Sequence, residues 1–519
     1  MEDSSQNVLT RLLDHIENIG NRLPHPTSLF VLLCGLVLLL SWICSLIELT
    51  AVHPVTQETI QATNLLNGAG LRKIISNAVT NFTHFAPLGS VLVAMLGIGI
   101  AEKAGLLSAF LRLLVIKTPG RMITSVVVFA GVLSSLAADS GYVVLIPIAG
   151  LVFQSAGKNP LAGMAAAFAG VSGGYSANLL IGPLDAILSG ISTEAANLVD
   201  KEYQVAATSN YYFIIVSTFV ITLIGTWVTE KLVLPRLDKS PIEPSSITQA
   251  ISPSSPTPSI SMDTLEKKGL QYAGMATLIC SMILLACVLP ENALLRNPET
   301  GSIISSPFIS GIVTIIAIFS AIVGTAYGIG AGTIKSDKDV IAAMEESMAA
   351  MATYLVLMFF AAQFVSYFSW TNLGLIFAVK GSALLSSLEI SAAPLMIIFI
   401  LMAAMINIFV GSASAKWAIM APVFIPMFML IGISPELTQA AYRVGDSSTN
   451  IITPLMPYFA LVVAFMQKYD KQVGIGTVIA TMLPYSIAFI IAWSVLLTCW
   501  IQVGLPLGPG APMTYSVGF

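Results

Sequence analysis

Apolar residues fill long stretches of this chain, and polar residues gather in short interruptions between them. Runs over residues 28 to 50, 85 to 106, 211 to 234, 269 to 290, 305 to 330, 349 to 368 and 475 to 503 are long enough to cross a bilayer as helices, which takes about 20 residues. Two further regions, 122 to 190 and 392 to 467, are apolar but broken by Gly, Ser, Pro, Asn and Asp. Each predicts discontinuous helices with a re-entrant hairpin, because an interrupted backbone at membrane depth is tolerated only inside protein or along a cavity. Ahead of the first run, Val8, Leu9, Leu12, Leu13, Ile16, Ile19 and Leu23 recur at helical spacing. They predict an amphipathic segment over 1 to 27 that lies along the interface or caps the bundle. Pro235 to Lys268 contains SPIEPSSITQAISPSSPTPS, which cannot bury a core. It predicts a linker over 235 to 268, between membrane halves at 28 to 234 and 269 to 519.

Composition sharpens this picture. Of 519 residues 56% are hydrophobic and 10% charged, with a mean hydropathy of +0.86. Soluble domains carry about 25% charged residues, so much of this surface must face lipid. A net charge of -4 supplies no basic field for nucleic acid. Cys34, Cys44, Cys280, Cys287 and Cys499 lack the spacing of a zinc site or a disulfide framework. The first apolar run has no cleavage-site pattern and is expected to stay attached. Arg11, Arg22, Arg112, Lys117, Arg121, Lys231, Arg236, Lys239, Lys267 and Lys268 cluster near the N-terminus, after the second span and around the linker, while 191 to 210 is poor in basic residues. The N-terminus and linker are therefore expected in the cytoplasm of a bacterial inner membrane and the C-terminus in the periplasm. Lys335, Lys338, Lys468 and Lys471 bracket the second irregular region. By this charge pattern both ends of the first unit are expected to face out and both ends of the second to face in.

The two irregular regions parallel each other. LSSLAADSGYVVLIP leads to Pro147 and then Pro160, and VGSASAKWAIMAP leads to Pro422 and then Pro435, with equal spacing within each pair. GVSGGYSANLLIGP then places Asn178 and Pro183, and GDSSTNIITP places Asn450 and Pro454. Oppositely oriented repeats of this kind are an architecture of secondary transporters, whose site lies near the midplane where broken helices meet. The fold expected is an all-α, polytopic, inverted-repeat secondary transporter.

Breaks leave main-chain groups that need an ion, substrate or water. Asp446, with Asn407 and Gly411, forms a candidate oxygen-rich pocket for a hard monovalent cation; the alternative is a buried Asp capping a broken helix. Arg443 lies three residues from Asp446 and can neutralise it or hold a substrate carboxylate. Asp185 is a candidate proton carrier or an interfacial group, and Asp139 lies in the first hairpin cluster. Trp417 can stack on an aromatic substrate or belong to an interfacial belt. Lys416 is expected to snorkel or pair. His15, His25, His53 and His84 lie outside both broken units, and no Walker motif, dinucleotide fingerprint or nucleophile elbow is present, so an enzyme is not expected. A channel is set aside as well.

NRLPHPTSLF, NFTHFAPLGSVLVAMLGIGIAEKAGL, AGVSGGYSANLLIGPLDAILSGIS, GSASAKWAIMAPVFIPMFML, AAYRVGDSSTNIITPLMPY and GLPLGPGAP together resemble the AbgT (p-aminobenzoyl-glutamate transporter) family, notably its MtrF-like branch. The resemblance covers the chain apart from the linker. It implies a homodimer, about nine transmembrane helices and two re-entrant hairpins per protomer, and an inward-facing basin. It further implies uptake of p-aminobenzoyl-glutamate or export of sulfonamides and p-aminobenzoate, with a small aromatic carboxylate or amide as substrate. By the family pattern Asp185, Trp417, Pro435, Arg443, Asp446 and Pro454 match positions important for transport, and Ala404, Asn407, Gly411 and Asp446 match a sodium-site pattern. SSLAADSGY departs from the Glu-containing variant expected there, which leaves Asp139 without a role. No cofactor is expected, and the coupling ion is sodium or the proton.

Overall fold

A computed structural model of the chain describes residues 26–52, 57–116, 118–137, 141–238, 262–304, 306–456 and 458–516. The amphipathic segment before the first span, most of the linker and Asp139 lie outside the described residues. The described chain is almost entirely helical, apart from two three-residue antiparallel strands, Thr50–Val52 and Thr59–Gln61. Eight helical segments are long and apolar enough to cross a membrane: Pro26–Leu46, Gly68–Ala104, Tyr211–Leu237, Thr264–Val288, Ile312–Ala331, Ala352–Trp370, Ala392–Phe409 and Ile475–Val503. Seven coincide with the uninterrupted runs, and Ala392–Phe409 is the first limb of the second broken region.

The second segment begins well before residue 85. It is two helices, Gly68–Thr83 and Ala86–Ala104. Asn67 caps the first by accepting from Gly70 N at 2.8 Å, and Pro87 sits at the start of the second, where its missing N–H costs nothing. Small residues set how closely the long helices approach. A Cβ on Gly97 would fall 1.8 Å from Ala317 O, and one on Gly330 would fall 2.8 Å from Gly269 Cα. The Ile312–Ala331 helix is thus sandwiched between Ala86–Ala104 and Thr264–Val288. Leu278, Ile279, Met282 and Ile283 on the last of these are exposed, as suits a lipid-facing element.

The broken regions share one order of elements. The first runs Ile123–Leu133, a break, Ile146–Ser155, Pro160–Phe168 continued by a π-helical turn to Gly173, a second break, then Pro183–Ala196. The second runs Ala392–Phe409, a break, Ala413–Met429, Pro435–Asn450, a second break, then Phe459–Gln467. At about 1.5 Å per residue, the limb Gly141–Ser155, a π-helical turn running into Ile146–Ser155, covers only about three quarters of a hydrocarbon core of roughly 30 Å. One contact recurs in both. Gly170 lies ten residues after Pro160, and its Cβ would meet Val128 O at 2.4 Å; Gly445 lies ten after Pro435, and its Cβ would meet Ile400 O at 2.4 Å.

The two hairpin tips sit at opposite ends of the Tyr211–Leu237 segment. Lys158, in the first tip, pairs with Glu230 at 2.6 Å near the end of that segment. The second tip is tied to the C-terminal tail by Ser434 N to Met513 O at 3.1 Å and Tyr515 N to Gly432 O at 2.9 Å. That tail in turn accepts on Leu507 O from Tyr212 N and Phe213 N, at the start of the same segment. The geometry corrects one expectation. Thr124, at the start of the first unit, donates to Glu230, while the unit's last helix runs into the 197–210 loop beside Glu436 at the opposite end. Each unit therefore passes from one end of the bundle to the other, and its two ends do not share a face. Charge counting missed this because a limb that stops partway leaves no loop to carry charge.

Candidate functional site

The Pro435–Asn450 helix, PELTQAAYRVGDSSTN, carries mostly polar side chains outside one apolar stripe of Leu437, Ala440, Ala441 and Val444, yet all 16 of its residues are buried. A buried polar group without a partner costs about 1 to 3 kcal/mol, so such a helix persists only if its neighbours answer it group by group. Ser434 caps its start, Leu437 N donating to Ser434 Oγ at 3.2 Å, and Pro435 takes the first helical position. Beyond its end, Pro454 follows a turn in which Thr453 Oγ1 donates to Thr449 O at 2.8 Å and Asn407 O at 3.3 Å. Pro435 and Pro454 thus delimit the helix.

Its first turns face the 197–210 loop and the Pro183–Ala196 helix. Tyr203 OH donates to Glu436 Oε2 at 2.9 Å, and Asn210 Nδ2 donates to Glu436 O at 2.9 Å. Gln439 Nε2 donates to Asn210 Oδ1 at 2.9 Å, and Ser192 Oγ donates to Gln439 Oε1 at 2.7 Å. Ser192 Oγ also accepts from Trp417 Nε1 at 3.0 Å. The Trp417 ring is fully buried and stacks on Tyr442 with centroids 4.5 Å apart. In this conformation its N–H and one face are engaged within the protein, and it is no belt residue.

Five ion pairs occur among the described residues, and two of them are nearly inaccessible to solvent. Arg443 Nη2 lies 2.5 Å from Asp185 Oδ1. Asp185 Oδ2 accepts from Gly182 N at 2.7 Å in the first turn of Pro183–Ala196, where a negative charge is favoured by the helix dipole. Asp185 is buried, which removes the interfacial alternative. Beside this pair a small cavity, with room for about one water, is lined by Ser135, Tyr175, Ser176, Asn178, Asp185 and Arg443. Arg443 Nε has no partner, and Asn178 Nδ2 donates to Ser135 Oγ at 2.7 Å, joining the two breaks of the first unit.

The second pair is Lys416 with Asp446, at 2.5 Å from Nζ to Oδ1. Lys416 Nζ also donates to Asn407 Oδ1. Asn407 Nδ2 faces Asp446 O at 2.6 Å, Thr449 Oγ1 at 2.8 Å and Asn450 Oδ1 at 2.9 Å. Thr449 Oγ1 in turn lies 3.3 Å from Ala404 O. A Cβ on Gly411 would be 2.8 Å from Leu455 O, so the break after Phe409 rests directly on the break after Asn450. Ala404, Asn407, Asn450 and Asp446 are thereby gathered as one oxygen-rich cluster, with Gly411 at its edge. The donor set suits a hard cation, but in this conformation a lysine ammonium holds two of its oxygens.

One sequence expectation changes here, and the two alternatives left for Lys416 are decided. Arg443 neutralises Asp185 and leaves Asp446 to Lys416, because on a helix enclosed on all sides residues three apart reach different neighbours. Lys416 does not snorkel; it pairs. Thr449, Tyr442 and Lys416 were missed as site residues, and the available signal was a predominantly polar helix within an apolar chain.

Fold and site together define a polytopic helical membrane protein organised around interrupted helices and a buried polar seam. Residues 11–515 match the sequence profile described as "AbgT putative transporter family", and the chain belongs to the AbgT family of transporters. It is 36% identical over 500 residues to the p-aminobenzoyl-glutamate transport protein of Escherichia coli K12, spanning 96% of each chain. Among solved structures it is similar to the YdaH transporter of Alcanivorax borkumensis, with a TM-score of 0.89, 53% identity and coverage of 94% of this chain and 100% of that one. It is also similar to MtrF of Neisseria gonorrhoeae, described within a class of antimetabolite efflux pumps, with a TM-score of 0.88, 46% identity and coverage of 96% and 100%.

Proposed function

We propose that this transporter is an ion-coupled secondary carrier for small aromatic carboxylates or amides of the p-aminobenzoyl-glutamate and sulfonamide type, working by alternating access. Arg443 receives the substrate's carboxylate or sulfonamide group, and cation or proton occupancy at Asp446 biases the units between two arrangements. The observation that carries this reading is the buried Arg443, which has an unpartnered Nε and lines a cavity together with Ser135, Ser176 and Asn178. A guanidinium with a free N–H is suited to a planar anionic group. The cavity is too small for an aromatic acid, so loading requires the units to part. The cation subsite comprises Ala404, Asn407, Gly411 and Asp446, with sodium or the proton as cargo. Asp185, Asn178, Asn450, Trp417, Pro435 and Pro454 position these groups.

The tips at opposite ends of Tyr211–Leu237 support an inverted arrangement of two re-entrant units. The basic residues near the linker support a cytoplasmic N-terminus and linker, a periplasmic C-terminus and residence in the bacterial inner membrane. The protein assembles as a homodimer. Everted vesicles test the reading, with p-aminobenzoyl-glutamate and sulfamethazine offered under imposed sodium or proton gradients. Gradient-dependent, saturable movement is expected, and movement indifferent to both gradients overturns it. Its direction separates uptake from a dedicated sulfonamide exporter, the alternative favoured by likeness to MtrF.

A further inference from the structure

We infer that Lys416 is a tethered cation that holds the Asp446 site when the transported cation is absent, so that the two occupy the carboxylate in turn. The inference rests on the ion-coupled reading above and adds to it the residue that competes with the cargo. Lys416 Nζ sits on Asp446 Oδ1 and Asn407 Oδ1, two of the oxygens a hard cation would take. The Asn407 amide is fixed in that orientation because its Nδ2 already meets three acceptors. Asp446 Oδ2 is buried and has no partner, so one carboxylate oxygen remains for an arriving cation.

A cation on Oδ2 would share one carboxylate with the ammonium, and in a dry interior two like charges at that separation repel strongly. Lys416 is the fourth residue of the Ala413–Met429 helix, near an N-terminus whose dipole disfavours a positive charge. Its attachment there comes from Asp446 and Asn407, and release relieves the dipole conflict. The break at 410–412 directly precedes this helix, so its first turn is not continuous with the Ala392–Phe409 helix. The device gives the empty carrier a neutralised carboxylate, so the unloaded site can change its exposure without leaving an unpaired charge in a low-dielectric interior.

The test compares purified full-length wild type, Lys416→Met and the charge-neutral Lys416→Met/Asp446→Asn pair. Thermal melting is followed against sodium chloride, with choline chloride holding ionic strength constant. The sodium concentration for half-maximal stabilisation should fall at least fivefold in Lys416→Met, and the response should vanish in the double variant. A fall of less than fivefold, no response in Lys416→Met, or a wild-type response in the double variant overturns the inference. Should Lys416→Met not accumulate, the wild type itself decides. Sodium should speed modification of Lys416 by a small amine-directed reagent at least threefold over choline, read by peptide mass spectrometry, and a smaller effect overturns the inference. Failure of the transport reading shows separately, as vesicle movement indifferent to both gradients.

Discussion

Asp185 and Arg443 show how little a single residue in this interior can change alone. Each is nearly fully buried, and each neutralises the other. Removing one partner of such a pair costs about 3 to 5 kcal/mol, while replacing both by apolar groups of similar volume can be neutral. Asp185→Asn is therefore expected to lower the melting temperature of the purified protein by far more than Asp185→Leu combined with Arg443→Met. Equal losses would show that the pair is energetically idle. The same reasoning applies to Asp446→Asn: it strands the Lys416 ammonium and should destabilise by a comparable amount. Trp417→Ala removes a fully buried ring and its stacking on Tyr442. A loss of about 3 to 5 kcal/mol is expected, and Trp417→Phe should recover most of it.

At the scale of elements, the seven uninterrupted spans were legible because a run of about 20 apolar residues in an otherwise charge-poor chain has few other places to go. The breaks were legible too, since Pro, Gly and Asn interrupt hydrocarbon-spanning helices only where something polar receives them. The neighbours were not. Periodicity says which residues share a helix face, but Pro435–Asn450 buries every face, so the partner of Arg443 was decided by which helix stood on which side. The close helix crossings were equally hidden among many glycines. Gly170 and Gly445 occupy matching places, and each allows a backbone carbonyl, Val128 O or Ile400 O, to come within 2.4 Å of where a Cβ would stand. Gly170→Ala and Gly445→Ala should each destabilise by about 1 to 3 kcal/mol in melting assays, because the opposing atom is main chain and cannot rotate aside. Gly274→Ala, in open space on the lipid-facing Thr264–Val288 helix, should have no such effect.

For the whole molecule, what matters is how the two broken units hold one another. They meet through Arg443 on Asp185, Ser447 Oγ accepting from Ser176 N at 3.0 Å, Ser172 beside Met456, and Tyr142 stacked on Tyr458 with centroids 4.5 Å apart. The contacts involve breaks of both units as well as helices, so the units cannot part without unmaking a charged pair, a hydrogen bond and an aromatic stack together. That combination favours two discrete arrangements over a gradual one. Joining the units at one of these contacts should hold them in the arrangement described. Ser176 and Ser447 are suited to this, being in direct contact and outside both ion pairs. The variant Ser176→Cys/Ser447→Cys is expected to lose at least nine-tenths of its transport in everted vesicles on mild oxidation and to regain it with reductant. Each single cysteine should stay insensitive to oxidant. If the oxidised, mass-verified cross-linked protein moved substrate at the uncross-linked rate, the units would not separate along this seam, and loading would have to proceed by motion within one unit.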